Sequence, residues 1–219
     1  KAIGVPLAKL ATKVMLGRTL QDLGFTKEVE TAHVCVKEAV FPFDRFPHVD
    51  ILLGPEMKST GEVMGIDADF GRAFAKAQLA AGQKLPTGGA VFVSVRDQDK
   101  ERVLPVVKKL HDMGFNILAT RGTSGHLKRA GIPNEVVKKI AEGRPHIVDY
   151  IKNGAIQLVI NTASGNRSTG GSCEIRRTVL RYNLPYSTTL AGAWAIVSGI
   201  ESLKAGSLNV KSIQEFHRP

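Results

Sequence analysis

The sequence predicts an α/β fold: a parallel sheet covered by helices on both faces, preceded by a smaller unit of helices and strands. Three observations carry this. Short apolar strands alternate with helical stretches from residue 90 onward. The pattern changes across Gly82–Gly89, which holds Pro86 and three glycines and reads as a linker. The composition is ordinary for a globular protein, with 43% hydrophobic and 23% charged residues in 219.

Taken in order, Leu7, Leu10, Val14, Met15, Leu20 and Leu23 recur at helical spacing after Pro6, with Gly24 as a stop. Thr31–Phe43 is rich in β-branched and aromatic residues and reads as a strand. Val49–Gly65, with Gly54-Pro55 and Thr60-Gly61, reads as strand and loop. Asp69 caps a helix ending near Gly82. Beyond the linker the expected elements are a strand at Ala90–Val95, a helix at Asp99–Met113, a strand at Asn116–Ala119 and a helix over Ser124–Arg129. Asn134 is expected to cap a helix to Ala141, and His146–Lys152 to form a short helix. Gln157–Ile160 follows as a strand, Glu174–Tyr182 as a helix, Pro185–Thr188 as a strand, Ala191–Leu203 as a helix and Val210–Ile213 as a last strand.

Charge is uneven. The chain carries +10, of which +1 lies in residues 1–90 and +9 in residues 91–219. Such a bias suits an anionic partner: a phosphorylated small molecule, a nucleic acid or an acidic surface. The basic residues are scattered, with no run of five, as on a solvated basic surface. Cys35 and Cys173 lie far apart, form no CxxC pair and suit a reducing, cytoplasmic setting; the six histidines show no metal-ligand spacing. No apolar run approaches the roughly 20 residues of a membrane span. The start at Lys1, with no signal-peptide run, reads as a cut inside a longer polypeptide.

Ligands of open α/β sheets bind at the carboxyl ends of strands. Three loops fit. Thr120-Arg121-Gly122-Thr123-Ser124-Gly125 follows a strand and opens a helix, so backbone N–H groups, hydroxyls and the helix terminus can face a phosphate. It lacks the GxxxxGK spacing of a P-loop, and a tight strand-to-helix turn is the alternative. Asn161–Ser172 is rich in glycine, hydroxyls and amides, as a ligand-gripping loop or a flexible surface loop. Gly143-Arg144-Pro145-His146, with Lys138 and Lys139 before it, offers cations. Neither of the first two loops contains Asp or Glu, so an acid or base for catalysis is missing there; His126 and His146 are the remaining candidates.

Several strings are familiar: Val36–Phe43 (VKEAVFPF), Leu53–Gly65 (LGPEMKSTGEVMG), Glu142–Ile147 (EGRPHI), Ile160-Asn161-Thr162 and Thr188–Gly192 (TTLAG). Over essentially the whole chain, in order, the sequence resembles the carbamoyl phosphate synthetase large subunit. The resemblance implies a C-terminal portion of that subunit. Residues 1–81 are then the α+β end of the second ATP-grasp domain, the one that phosphorylates carbamate. Residues 82–219 are a three-layer, Rossmann-like regulatory domain similar to methylglyoxal synthase. The implied enzyme is an ATP-dependent ligase that makes carbamoyl phosphate from bicarbonate and glutamine-derived ammonia, for arginine and pyrimidine biosynthesis. It uses ATP with Mg²⁺ or Mn²⁺ and K⁺, pairs with a small glutaminase subunit and self-associates. No cofactor and no catalytic or metal-binding residue is expected within this chain.

The resemblance also carries effector sites. A nucleotide monophosphate, UMP or IMP, is implied at Ser94, Lys100, Thr120, Thr123, Lys139, Asn161, Thr162 and Ser172; Ala163 stands where relatives have a contacting threonine. Ornithine is implied at Glu38, Leu53, Tyr186 and Thr188, with Phe41 where relatives often carry Leu. Two other functions compete. A lyase of the methylglyoxal synthase type needs loop aspartates, where this chain has Arg144 and Ser164. A basic nucleic-acid-binding domain would fit the charge but lacks aromatic interleaving.

Overall fold

The computed structural model describes residues 1–45, 53, 55–162 and 170–217. The first part holds helix α1 (Leu7–Met15), an antiparallel hairpin of β1 (Val34–Val40) and β2 (Gly61–Asp67), and helix α2 (Phe70–Ala80). The second holds β3 (Ala90–Ser94), α3 (Lys100–Asp112), β4 (Asn116–Ala119), α4 (Arg121–Arg129), β5 (Glu135–Val136), α5 (Ile147–Lys152), β6 (Leu158–Asn161), α6 (Gly170–Arg181), β7 (Tyr186–Ser187), α7 (Leu190–Ala205) and α8 (Ile213–Phe216). The five later strands form one parallel sheet in the order β5-β4-β3-β6-β7.

Alternation along the strands divides the core in two. Val91, Val93, Ile117, Ala119, Leu158 and Ile160 face one side, against Val103, Val106, Val107 and Leu110 of α3, Leu127 of α4, and Ala193, Ile196, Val197 and Ile200 of α7. Ala90, Phe92, Leu118 and Val159 face the other, against Ile147, Val148 and Ile151 of α5 and Ile175 and Val179 of α6. This is the expected three-layer arrangement. Strands this buried on both faces read as continuous apolar runs, which is why they stand out in the sequence.

Phe74 and Ala75 of α2 belong to the same core as β3 and α7, and α2 is packed between the hairpin and α7. Close approach is permitted by glycines. A Cβ on Gly65 would meet the Ala73 carbonyl oxygen and lie 2.6 Å from the Ala77 nitrogen; one on Gly71 would lie 2.5 Å from the Ser198 carbonyl oxygen. The Asp69 carboxylate accepts from the Arg72 amide at 2.9 Å and caps α2 as the sequence suggests.

Four local expectations change. The first helix ends at Met15, because Gly17 takes a left-handed φ of 92° and the chain continues in turns to Gly24. The segment after Asn134 is not a helix. The Asn134 side-chain amide donates to the Ile132 carbonyl, and Glu135 and Val136 pair with Leu118 and Ala119 as the edge strand β5. Its β-branched run suits that better than a helix. Helices α4 and α6 start three and four residues earlier than the sequence suggests, taking in Gly122 and Gly125 of the first Gly/Ser/Thr loop and Gly170 and Gly171 of the second. Last, Val210–Ile213 is no strand: Val210 is fully exposed, and the Ser212 hydroxyl caps α8, accepting from the Glu215 amide.

Candidate functional site

The sheet order reverses at β3, which connects to one side through α3 while β6, its neighbour, connects to the opposite face through α6. Their carboxyl ends therefore diverge and leave a crevice, the usual ligand position in this architecture. A cavity of about 310 Å³ lies there. Ser94, Val95, Arg96 and Asp97 reach it from the end of β3, Thr120 from β4, and Asn161 and Thr162 from β6. Lys139, Ile140 and Ile147 come from the segment around α5, and Gly171, Ser172 and Ile175 from α6.

Six of the eight residues assigned by resemblance to a nucleotide site thus line one cavity: Ser94, Thr120, Lys139, Asn161, Thr162 and Ser172. The other two stand behind it. Thr123 is buried; its hydroxyl oxygen accepts from the Val95 amide at 3.3 Å and lies 3.4 Å from the Thr120 hydroxyl, which in turn lies 3.3 Å from that of Ser94. Lys100 is paired with Asp97 at 2.7 Å. Ala163 and Ser164 lie outside the described residues.

The rim is held by a buried carboxylate that the sequence reading passed over. Asp99, 2% exposed, accepts from the Arg96 guanidinium at 2.6 Å. The Arg96 amide donates to the Thr162 hydroxyl oxygen at 3.1 Å, which ties the β3 end to the β6 end. Burial pushes the Asp99 carboxyl up, but hydrogen bonds from Arg96 and Thr162 and the charges of Arg96 and Arg102 outweigh it, so the group sits below its ordinary value. The only hint in the sequence is an acid–base cluster, Arg96-Asp97-Gln98-Asp99-Lys100, at a strand-to-helix junction.

Two features of the cavity suit a polar ligand. Asn161 is 4% exposed, yet its side-chain nitrogen has no hydrogen-bond partner among the described residues. A buried donor left unpaired costs about 1–3 kcal/mol, which a ligand acceptor would recover. Lys139 lines the cavity, makes no salt bridge among the described residues and acts on Asp97 only through its charge, while its own amide donates to Glu142 at 2.9 Å. The first turn of α4 adds backbone N–H groups behind Thr120. The loop cations beside Lys139 do not join it: Arg144 turns to Asp149 at 3.0 Å and Lys138 donates to the Arg144 carbonyl at 3.1 Å. Ile140, Ile147 and Ile175 supply an apolar wall that only the fold brings together.

A second cavity, of about 300 Å³, lies between the hairpin, α2 and the β7 end. Glu38, Tyr186 and Thr188 line it together with Phe41 and Gln78; Leu53 does not and is exposed. Burial raises the Glu38 carboxyl above its ordinary value against an opposing hydrogen bond from Gln78. Among the described residues no group of three or more His, Cys, Asp or Glu is placed to hold a metal. No described helix is long and apolar enough to cross a membrane.

The family model of the MGS-like domain matches residues 102–188, which run from within α3 to just past β7 and leave out β3. Among solved structures, methylglyoxal synthase from Elizabethkingia anophelis NUHP1 aligns over 52% of this chain and 80% of its own, at 20% identity and a TM-score of 0.45. The carbamoyl phosphate synthase large chain of Nostoc sp. is 56% identical over 99% of this chain, and that of Synechocystis sp. 55% identical over 99%. In both cases the chain spans about a fifth (20%) of the relative's length. Identity at this level across both the hairpin part and the sheet is what the LGPEMKSTGEVMG string leads one to expect: over nearly its whole length the chain is similar to a part of the carbamoyl phosphate synthase large chain.

Proposed function

We propose that this chain is the regulatory portion of an ATP-dependent ligase, and that the cavity at the β3–β6 crevice binds a nucleotide monophosphate that controls carbamoyl phosphate synthesis elsewhere in the large chain. The observation that carries the reading is the convergence of Ser94, Thr120, Lys139, Asn161, Thr162 and Ser172 on one cavity, with the buried Asn161 donor unpaired among the described residues. A phosphate suits the end formed by Lys139, Thr120 and the α4 first turn; a flat base suits the isoleucine wall. The Glu38–Thr188 cavity is the proposed ornithine contact, where the carboxylate accepts from a ligand ammonium.

Within this reading the boundary falls near residue 82, the preceding part is the end of an ATP-grasp domain, and ATP with Mg²⁺ or Mn²⁺ and K⁺ acts in the rest of the large chain. A small glutaminase subunit, self-association, a cytosolic setting and roles in arginine and pyrimidine synthesis belong to the same proposal. The chain alone is not expected to turn over; ATP-dependent formation of carbamoyl phosphate by it would overturn that part. Effectors work only through different affinity for two states.

A thermal-shift panel tests the site. UMP or IMP at 100 times its dissociation constant adds about 2.7 kcal/mol. At about 2–4 °C per kcal/mol for a chain of this size, melting should rise by about 5–11 °C. The rise should shrink in Lys139→Ala. No shift with either nucleotide would sink the reading.

A further inference from the structure

We propose that Asp97 is a resident anion of the β3–β6 cavity, holding Lys100 until an anionic ligand replaces it, and so limiting the negative charge the site accepts. This rests on the reading of the cavity as a nucleotide monophosphate site.

Asp97 and Asp99 lie in one short turn before α3, and both pair with a cation, but they do different things. Asp99 is buried and joins the two strand ends. The Asp97 side chain is 95% exposed, lines the cavity, and its carboxylate lies 2.7 Å from the Lys100 ammonium, which is itself only 17% exposed. An ion pair so open to water contributes little to folding and breaks easily. Its effect is on the cation. A Cβ placed on Gly122 would lie 3.4 Å from Lys100 Nζ, so that ammonium stands at the first turn of α4, beside Thr120. Here an incoming phosphate would seek it. Lys139 and His126 also act on the Asp97 carboxyl, adding to the hydrogen bond and charge of Lys100 that hold it below its ordinary value. A carboxylate thus occupies the field that these cations create. An entering phosphate must displace it from Lys100 and tolerate it nearby, a penalty that grows with each further phosphate.

Calorimetric titration of the full chain tests this, with UMP, UTP and inorganic phosphate as probes. Asp97→Asn should tighten UMP by about threefold to tenfold and UTP by a larger factor. In a Lys100→Ala background the same change should gain less than half as much, because no cation is released. Asp97→Ala, melting like wild type, guards against an effect peculiar to Asn. Unchanged or weaker UMP binding in Asp97→Asn, with wild-type binding present and lost in Lys139→Ala, would overturn this proposal and leave the effector site standing. Weaker binding would make Asp97 a direct acceptor of a ligand hydroxyl. No UMP binding by the wild type would overturn both.

Discussion

Replacing Asp99 with alanine should unlatch the cavity. The carboxylate is 2% exposed and accepts from Arg96 at 2.6 Å, with Thr162 as its second donor. Hydrogen bonds to a charged group contribute about 1.5–3 kcal/mol each, and two sharing one acceptor group do not add fully. Arg96, whose side chain is 37% exposed, can turn to water and recover part of the loss. The expected cost is therefore about 3 kcal/mol, or about 6–12 °C in melting temperature at 2–4 °C per kcal/mol. Asp99→Asn keeps one acceptor and should lose about half as much. Differential scanning calorimetry at neutral pH reads both. A second signature separates a latch from a generic packing defect: amide exchange should accelerate at the ends of β3 and β6 before the rest of the sheet. A melting temperature within 1 °C of wild type would refute the reasoning.

Other expectations follow from the same geometry. Gly65→Ala forces a methyl group against the α2 backbone; overpacking of about 3 kcal/mol less about 1 for the stiffer unfolded chain leaves about 2, or about 4–8 °C in a thermal melt. Phe92→Ala, at a fully buried position, should cost about 3–5 kcal/mol in urea unfolding. The carboxyls of Asp67, beside Lys76 at 2.7 Å, and Asp99 lie below their unfolded values. Their stabilisation is complete above the unfolded carboxylate range near pH 4 and is lost as pH falls through the folded values. Melting temperature should therefore drop on acidification, and drop less steeply in Asp67→Asn. Glu38 has the opposite sign: with its carboxyl raised, ionisation at neutral pH costs stability, so Glu38→Gln should melt no lower than wild type at pH 7 while losing any response to ornithine.

Legibility differed by kind of residue. Strands β3, β4 and β6 were readable because burial on both faces leaves a run of apolar side chains between polar ends, and the helices between them because their apolar stripes keep the helical period. The edge strand β5 was not. It has two residues, both exposed, and its pairing with β4 depends on a neighbour distant in sequence. The Asn134 side chain, a plausible helix cap by type, serves a turn instead. The starts of α4 and α6 were missed because glycine and serine argue for loops until tertiary contacts pull them into a first turn. In the site, Thr120 and Asn161 stood out as polar residues at strand ends, and Lys139 as a cation before the Gly143 loop. Asp99 and Asp97 did not, since nothing in one sequence separates a buried latch from an exposed partner two positions away. The isoleucine wall reads as ordinary core until the chain is folded.

The central claim, that the β3–β6 crevice is a nucleotide monophosphate site, is tested most directly by a crystal structure of the chain grown with UMP. The account predicts density in the 310 Å³ cavity. The phosphate should lie within hydrogen-bond distance of Lys139 and Thr120, and the Asn161 side-chain nitrogen should donate to the ligand. UMP bound elsewhere, or a cavity filled only by water at saturating nucleotide, would contradict it.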